Sequence, residues 1–154
     1  MNEALGAGRV ERLWVKRAKR GPMDAVREVQ FIARRGLAGN ADAGGRRQVT
    51  IISRERWTEL TATLGEVDPV LRRCNVMVSG LELEATRGRL LQIGAATVRI
   101  NGETRPCRAL DFAFAGLQHA LDPHWGGGVY AQVIEGAVVH VDDVVRWIDA
   151  PEPG

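Results

Sequence analysis

The segment ATVRINGETRPCRAL, residues 96–110, contains the turn signals around which the chain is organised. Its first five residues are rich in β-branched side chains and predict a strand. Asn101-Gly102 is the strongest two-residue hairpin signal, because both central positions of a type I′ turn need positive φ. We therefore predict a hairpin whose return strand, 103–105, ends at Pro106, since proline has no N–H to donate to a ladder.

A cysteine follows this proline, where the strand pattern gives way to a helical one. Apolar residues then recur every three or four positions, which predicts a helix over 110–121. Cys107 would lie at the first turn of this helix, between Arg105 and Arg108, where positive charge stabilises a thiolate. A thiolate is both a nucleophile and a metal ligand. The alternative is a buried structural cysteine, and the spacing alone favours neither.

The rest of the chain is mainly a series of short strands separated by turn residues. A helix is predicted from an N-cap at Ser53 through Leu64, with Gly65 past its end. Further strands are predicted at 10–16, 25–33, 48–52, 70–78, 90–93, 129–135, 137–141 and 144–148. Many short strands with two helices indicate a mainly β, barrel-like domain with helical insertions, residues 10–148, between a flexible N-terminus (1–9) and a flexible tail (149–154).

Length, charge and cysteine count exclude several classes of function but do not identify one. The chain has 154 residues, enough for one domain with its own core, and a net charge of +2, which gives no support to nucleic-acid binding. Its two cysteines, Cys74 and Cys107, make neither a disulfide framework nor a zinc site. Without a signal peptide or a membrane-spanning run, we expect a cytoplasmic protein with reduced thiols and no membrane partner.

Basic residues and a glycine-rich loop suggest one candidate site. The loop, 35–47, ends in Arg46-Arg47, and a second pair, Arg72-Arg73, precedes the next predicted strand. The loop allows either close approach to a ligand or simple mobility. If these pairs converge with the cysteine at one barrel end, the site suits an anionic, oxygen-rich ligand that also needs a sulfur donor.

Several stretches together identify a family resemblance, although no single motif is decisive. They are Gly36-Leu37-Ala38-Gly39-Asn40, Arg47-Gln48-Val49-Thr50, Arg73-Cys74-Asn75, Gly80-Leu81-Glu82-Leu83, Pro106-Cys107 with Leu110, Gly128-Val129-Tyr130-Ala131 through Gly136, and Val141-Asp142-Asp143-Val144. In this order, from about 10 to 147, the sequence resembles the MOSC domain. That domain is the C-terminal part of molybdenum-cofactor sulfurases and also occurs alone in bacteria.

The resemblance implies a mainly β fold, a MOSC-type β-barrel with a few short helices, and a molybdenum cofactor (Mo-molybdopterin). It implies that Cys107 is the catalytic cysteine, which either ligates molybdenum or carries sulfur as a persulfide, and that Asp42 lies near the substrate. The cofactor-binding residues that it implies are Gly39, Asn40, Arg47, Gln48, Thr50, Arg73, Asn75 and Arg105.

Three functions are consistent with this resemblance. The first is a reductase of N-hydroxylated or related N–O and S–O compounds, which would need a small-molecule substrate and a separate electron-transfer protein. The second is a non-catalytic carrier of persulfide sulfur or of molybdenum cofactor, served by a separate PLP-dependent cysteine desulfurase. The third is a barrel for another small anionic ligand. Asn40 stands where the family usually has Asp, and Asp42 is close enough to substitute for it.

Overall fold

The computed structural model describes residues 7–148, and it is mainly β, with 40% strand and 19% helix. The strands are β1 (Ala7–Lys16), β2 (Met23–Val26), β3 (Glu28–Ile32), β4 (Gly36–Leu37), β5 (Val49–Ser53), β6 (Val76–Ser79), β7 (Leu90–Ile93), β8 (Ala96–Glu103), β9 (Val129–Glu135), β10 (Ala137–His140) and β11 (Val144–Trp147). The helices are α1 (Arg54–Thr61), α2 (Ala109–Ala113) and α3 (Leu117–Ala120), with 3-10 turns at Ala62–Leu64, Pro69–Arg72 and Pro123–Trp125.

Seven strands close into a barrel. The ring runs β1-β6-β5-β9-β8-β7-β11 and returns to β1, and every neighbouring pair is antiparallel except β5–β6. Inward side chains such as Val10, Ile51, Val98 and Ile100 are fully buried and fill its interior. The prediction of a mainly β barrel with a few short helices is therefore confirmed.

The helices cover part of the outside of this barrel. Trp57 of α1 packs with Ile52, Leu117 and Leu121 in a second buried cluster, and its Nε1 donates to the Val67 carbonyl at 2.9 Å. The predicted cap is confirmed, since the Ser53 side chain accepts from the backbone N–H of Arg56 at 3.1 Å. α1 thus extends directly from β5 and holds the helical layer against it.

The hairpin predicted at Asn101-Gly102 is wrong, because β8 continues through both residues. The Asn101 side chain donates to the Arg46 carbonyl at 2.8 Å and to Oε1 of Gln132 at 2.9 Å, so its amide ties strand to strand. The pairing with β9 shifts register here, which marks a bulge. A Cβ on Gly102 would lie 3.0 Å from the Tyr130 hydroxyl, so glycine admits that ring. The real turn is at Gly94, with φ 58°.

Three other predicted elements are interrupted. The strand predicted at 25–33 bends at Arg27, whose carbonyl accepts from the backbone N–H of Val141 at 2.9 Å. The strand predicted at 70–78 begins only at Val76, because Pro69 opens a 3-10 turn. The helix predicted at 110–121 breaks at Gly116, with φ 89°.

The predicted flexible segments at the two termini can be compared with the structure only in part. β1 begins at Ala7, inside the segment 1–9 predicted to be flexible, while residues 1–6 and the tail 149–154 lie outside the described residues. Across 7–148, no helix has the length and apolar character needed to cross a membrane.

Candidate anion-binding site

A cavity of about 130 Å³ lies at the barrel end where β1 ends and the parallel strands β5 and β6 begin, and it also reaches the segments that follow β8 and precede β9. β1 is antiparallel to β6 and β8 is antiparallel to β9, so each pair places the end of one strand beside the start of the other. The residues around the cavity are Lys16, Met23, Asp42, Arg47, Gln48, Thr50, Arg72, Arg73, Cys74, Asn75, Thr104 and Gly127.

The charge around this cavity is predominantly positive. Four of the lining side chains are basic and one, Asp42, is acidic. Asp42 pairs with Lys16, with 2.7 Å between Nζ and Oδ2. None of the ion pairs found within residues 7–148 uses Arg47, Arg72 or Arg73. Three guanidinium groups therefore face the cavity without an internal counter-ion, which favours an anionic ligand.

Arg72 is the most firmly held of these groups. Its Nε donates to the Gly127 carbonyl at 2.9 Å and its Nη2 to the Thr104 carbonyl at 3.2 Å. Burial lowers the pKa of Arg72, while the neighbouring Cys74 and Cys107 sulfurs act to raise that pKa. A Cβ built on Gly127 would lie 3.3 Å from Arg72 Nη2 and 3.3 Å from Pro106 Cδ, so the residue before Cys107 lies beside the cavity's central arginine.

The two cysteines differ sharply. Cys74 is 3% exposed, and burial raises the pKa of its thiol to about 12 although Arg72 acts in the opposite direction. Cys74 therefore stays protonated and unreactive. Cys107 is exposed and lies directly before α2, so the structure excludes the buried structural alternative for this residue. The accessible thiol of the pair is the one that sequence analysis singled out.

Most of the predicted site residues meet at this barrel end. The cavity is lined by Asp42, Arg47, Gln48, Thr50, Arg73 and Asn75. Asn40 adjoins it, since its Oδ1 accepts from the backbone N–H of Lys16 at 2.8 Å and from Nδ2 of Asn75 at 3.3 Å. Gly39 packs against Arg17 instead: a Cβ there would lie 2.8 Å from Nη1. Arg105 is exposed, and neither it nor Cys107 is among the lining residues.

Two of the predicted ligand contacts already have protein partners. The Asn75 amide donates to the Trp14 carbonyl at 3.2 Å and to Asn40 Oδ1 at 3.3 Å, and its oxygen accepts from Thr50 N at 3.1 Å and Thr50 Oγ1 at 3.2 Å. This uses both donors and both lone pairs of the amide. Gln48 similarly donates to the Gly45 carbonyl and accepts from the backbone N–H of Val133. Both side chains hold the walls of the cavity in place.

Six lining residues were not predicted as site residues: Lys16, Met23, Arg72, Cys74, Thr104 and Gly127. Lys16 is the last residue of β1, and nothing in a single strand pattern identifies which barrel end carries a site. Arg72 was noted as half of a basic pair. Both arginines line the cavity, but Arg72 is half-buried and held by the Gly127 and Thr104 carbonyls, whereas Arg73 is exposed and donates to the Gly21 carbonyl. Thr104 was hidden by the hairpin prediction, which placed it in a return strand rather than at the end of β8.

A second, more open cavity of about 480 Å³ adjoins the first. It is formed by the glycine-rich loop, 41–47, together with Lys19, and the two cavities share Asp42 and Arg47. Arg47 stands between them with its guanidinium carbon 5.1 Å from the centre of the Tyr130 ring. The barrel end therefore offers a small basic chamber that continues into a wider cleft.

These features define a class of protein: a closed β-barrel with a basic cavity at one end, a candidate anion-binding site, and an exposed cysteine. Comparison with family models gives the family as well. The model for the MOSC domain matches residues 38–146, so the chain belongs to the MOSC domain family.

Comparison with solved structures shows the same fold. The YuaD protein from Bacillus subtilis superposes with a TM-score of 0.75 at 20% identity, covering 90% of this chain and 94% of that one. YiiM from Escherichia coli gives a TM-score of 0.70 at 18% identity over 94% of this chain and 72% of that one. YiiM from Geobacillus stearothermophilus gives 0.73 at 16% identity, over 92% and 75% respectively. No curated protein sequence matches this chain.

Proposed function

We propose that this MOSC domain protein binds the molybdenum cofactor at the basic barrel end and uses it to reduce N-hydroxylated or related N–O and S–O compounds. The observation that carries the proposal is the chamber itself, in which Arg47, Arg72 and Arg73 have no ion-pair partner within residues 7–148 and Pro106, the residue before Cys107, lies beside Arg72. An anionic group and a metal with an affinity for thiolate are the two partners that this arrangement suits.

The residues present fit a phosphate-bearing pterin. Arg47, Arg72 and Arg73 would hold its phosphate, and the wider cleft along the glycine-rich loop has room for the remainder of the ligand. Asp42 is held at the border of chamber and cleft by Lys16.

Cys107 would be the protein ligand to molybdenum, because a bound cation favours the deprotonated thiol. When bound, the cofactor would supply the redox chemistry for removal of an oxygen atom. The chain's own contribution is to bind and orient: the arginines would hold the anionic end, and Asp42, paired with Lys16, would lie near the substrate. Electrons would come from a separate electron-transfer protein.

The test is to measure metal and pterin on the same protein. Wild type, Cys107→Ser and Cys74→Ala are purified from a cofactor-producing host, and molybdenum is measured by elemental mass spectrometry and pterin by fluorescence after release. We expect near-stoichiometric molybdenum and pterin in the wild type and in Cys74→Ala, because the buried Cys74 thiol that this variant removes is protonated and does not bind metal. Cys107→Ser should lose much of its molybdenum. Wild-type protein without metal or pterin would rule out the cofactor proposal.

A second function is favoured by one specific observation, the exposure of Cys107. An accessible thiol beside guanidinium groups suits a carrier that accepts sulfur as a persulfide from a separate PLP-dependent cysteine desulfurase and passes it on. Intact-protein mass spectrometry distinguishes this function from the first. A carrier that has accepted sulfur from the desulfurase gains the mass of one sulfur atom, and a thiol reductant removes this added mass. The Cys107→Ser variant should gain no such mass.

A further inference from the structure

We propose that the exposed surface around α2 is the docking site for an acidic electron-transfer protein. This α2 surface is defined by four exposed residues, Arg105, Cys107, Arg108 and Phe112. The proposal rests on the proposed function, because the reductase needs electrons from a separate protein. It adds to that function the place where such a protein binds and the chemistry by which it is recognised.

Phe112 is the most exposed large apolar residue of the described chain. It is 86% exposed, whereas the next such residue, Val144, is 44% exposed. On the opposite side of the same helix, Leu110 is 4% exposed and packs in the cluster beneath α2. Residues 109 and 113 are exposed alanines. Single half-exposed apolar residues are common, but a nearly bare aromatic ring among small apolar neighbours is typical of a protein-binding surface.

Two arginines give the α2 surface a positive charge. Among the described residues, no ion pair uses Arg105 or Arg108. Arg108 has helical backbone angles, φ −58° and ψ −26°, so it lies one turn before Phe112 on the same side of the helix. The carboxylate of α2, Asp111, accepts from the backbone N–H of Gln118 at 2.8 Å. The complement of this surface is an apolar patch surrounded by carboxylates.

The α2 surface lies beside the basic chamber, and Pro106 forms the connection. A Cβ on Gly127 would lie 3.3 Å from Pro106 Cδ and 3.3 Å from Arg72 Nη2. Cys107, the proposed molybdenum ligand, is the next residue, and its carbonyl accepts from the backbone N–H of Leu110 in α2 at 3.0 Å. A protein bound to α2 therefore comes close to the proposed metal ligand.

The proposed reaction determines what this partner must do. Reduction of an N-hydroxylated compound breaks the N–O bond, forms an N–H bond and releases water, which consumes two electrons and two protons. The protons come from solvent, and the partner supplies the electrons. The reduced partner must therefore bind, donate and leave during each turnover, so its complex with this protein has to be transient.

The size of the α2 surface suits such a transient partner better than a second copy of this chain or a membrane. One phenylalanine buries ~150–250 Å², whereas a stable interface buries about 800 Å² on each partner. Complexes of electron-transfer proteins lie at the low end of interface sizes. Binding in a membrane surface requires a longer helix with several large apolar residues, and α2 has five residues with Phe112 as its exposed one.

The experiment uses the full chain purified from a host that cannot make molybdenum cofactor, so that binding is measured without catalysis. The probes are two acidic electron carriers, a plant-type ferredoxin and a flavodoxin, and the basic cytochrome c is the charge control. Affinities are measured by microscale thermophoresis at low and high ionic strength. Phe112→Ala and Arg108→Gln are compared with Val144→Ala and Arg27→Gln, which remove an exposed apolar and an exposed cationic side chain elsewhere.

We expect the wild type to bind at least one acidic carrier but not cytochrome c, with an affinity that falls as salt is added. Phe112→Ala should bind roughly tenfold or more weakly at either salt concentration, since the aromatic anchor is lost. Arg108→Gln should bind about threefold or more weakly at low salt alone. Both control variants should bind like the wild type. All four variants should melt within about 3 °C of the wild type, because the changed side chains are exposed.

Three results would overturn the proposal: no binding of either acidic carrier by the wild type, equal affinity in the wild type and Phe112→Ala, or equal weakening by Val144→Ala. A dimer that depends on Phe112 in analytical ultracentrifugation would assign the surface to a second copy and overturn it as well. The same holds for binding to phosphatidylserine vesicles that depends on Phe112 and occurs without binding of a carrier. Failure of the proposed function looks different. Protein from a cofactor-producing host would then lack molybdenum and pterin while the α2 surface still bound the carrier.

Discussion

Replacement of Asn75 by alanine should destabilise the whole barrel end. The buried amide makes four hydrogen bonds, to Trp14, Asn40 and twice to Thr50. At ~0.5–1.5 kcal/mol net for each bond, their removal predicts a loss of about 2–6 kcal/mol. Because all four are 3.1–3.3 Å long, we expect the lower half of that range. Such a loss is a large fraction of the ~5–15 kcal/mol by which a domain is stable.

The assay for Asn75→Ala is urea unfolding followed by tryptophan fluorescence, with the midpoint and the m-value fitted separately. Gln92→Ala is the matched control, since the Gln92 amide accepts from Arg146 Nε on the exposed surface. We expect less than ~0.5 kcal/mol from the control. A loss below about 1 kcal/mol in Asn75→Ala with an unchanged m-value would refute the view that this amide holds the site together.

The remaining predictions concern Cys74 and Gly127. Burial raises the pKa of the Cys74 thiol from 9.0 to about 12. Between these pH values the folded protein therefore binds more protons than the unfolded chain. The free energy of unfolding should fall as the pH rises from 9.0 to about 12. That fall should be smaller in Cys74→Ala, and an identical pH profile in the two proteins would exclude the linkage. Gly127→Ala should lower both the melting temperature and the affinity for inorganic phosphate, because its Cβ would lie 2.3 Å from the Thr104 carbonyl. Gly44→Ala, whose Cβ meets open space and whose φ is 73°, should lose stability alone; equal phosphate binding in both variants would contradict the proposed phosphate site.

The fold was predictable to the extent that local patterns decide it. Alternating apolar residues identified most strands, and the cap at Ser53 was correct because capping depends only on neighbouring backbone groups. The turn at Asn101-Gly102 was wrong because its outcome is decided by distant partners, Arg46 and Gln132, which hold the Asn101 amide across the sheet. The hairpin preference of the Asn-Gly dipeptide is overridden where pairing with neighbouring strands fixes an extended backbone.

The site was predictable in composition but not in geometry. The basic pairs and the glycine-rich loop border adjoining cavities, as their pattern suggested, whereas Cys107 is not among the residues that line them. Arg72, rather than Arg73, is held against the chamber because it ends a 3-10 turn and donates to carbonyls about 30 and 55 residues away in the chain. The burial of Thr104 likewise depends on the folded structure and has no signal in the local sequence. Convergence of distant segments is a property of the closed sheet.

The amides of this protein show how such a site can be rigid although its charged groups repel one another. Three arginines face one small chamber, so the loops that carry them need independent anchors. Asn75 ties β1 and β5 to the glycine-rich loop, and Gln48 ties the end of that loop to β9. Both amides are fully hydrogen-bonded within the protein, so they position the chamber, whereas the three guanidinium groups have no ion-pair partner within residues 7–148 and are the groups that we propose bind the anion.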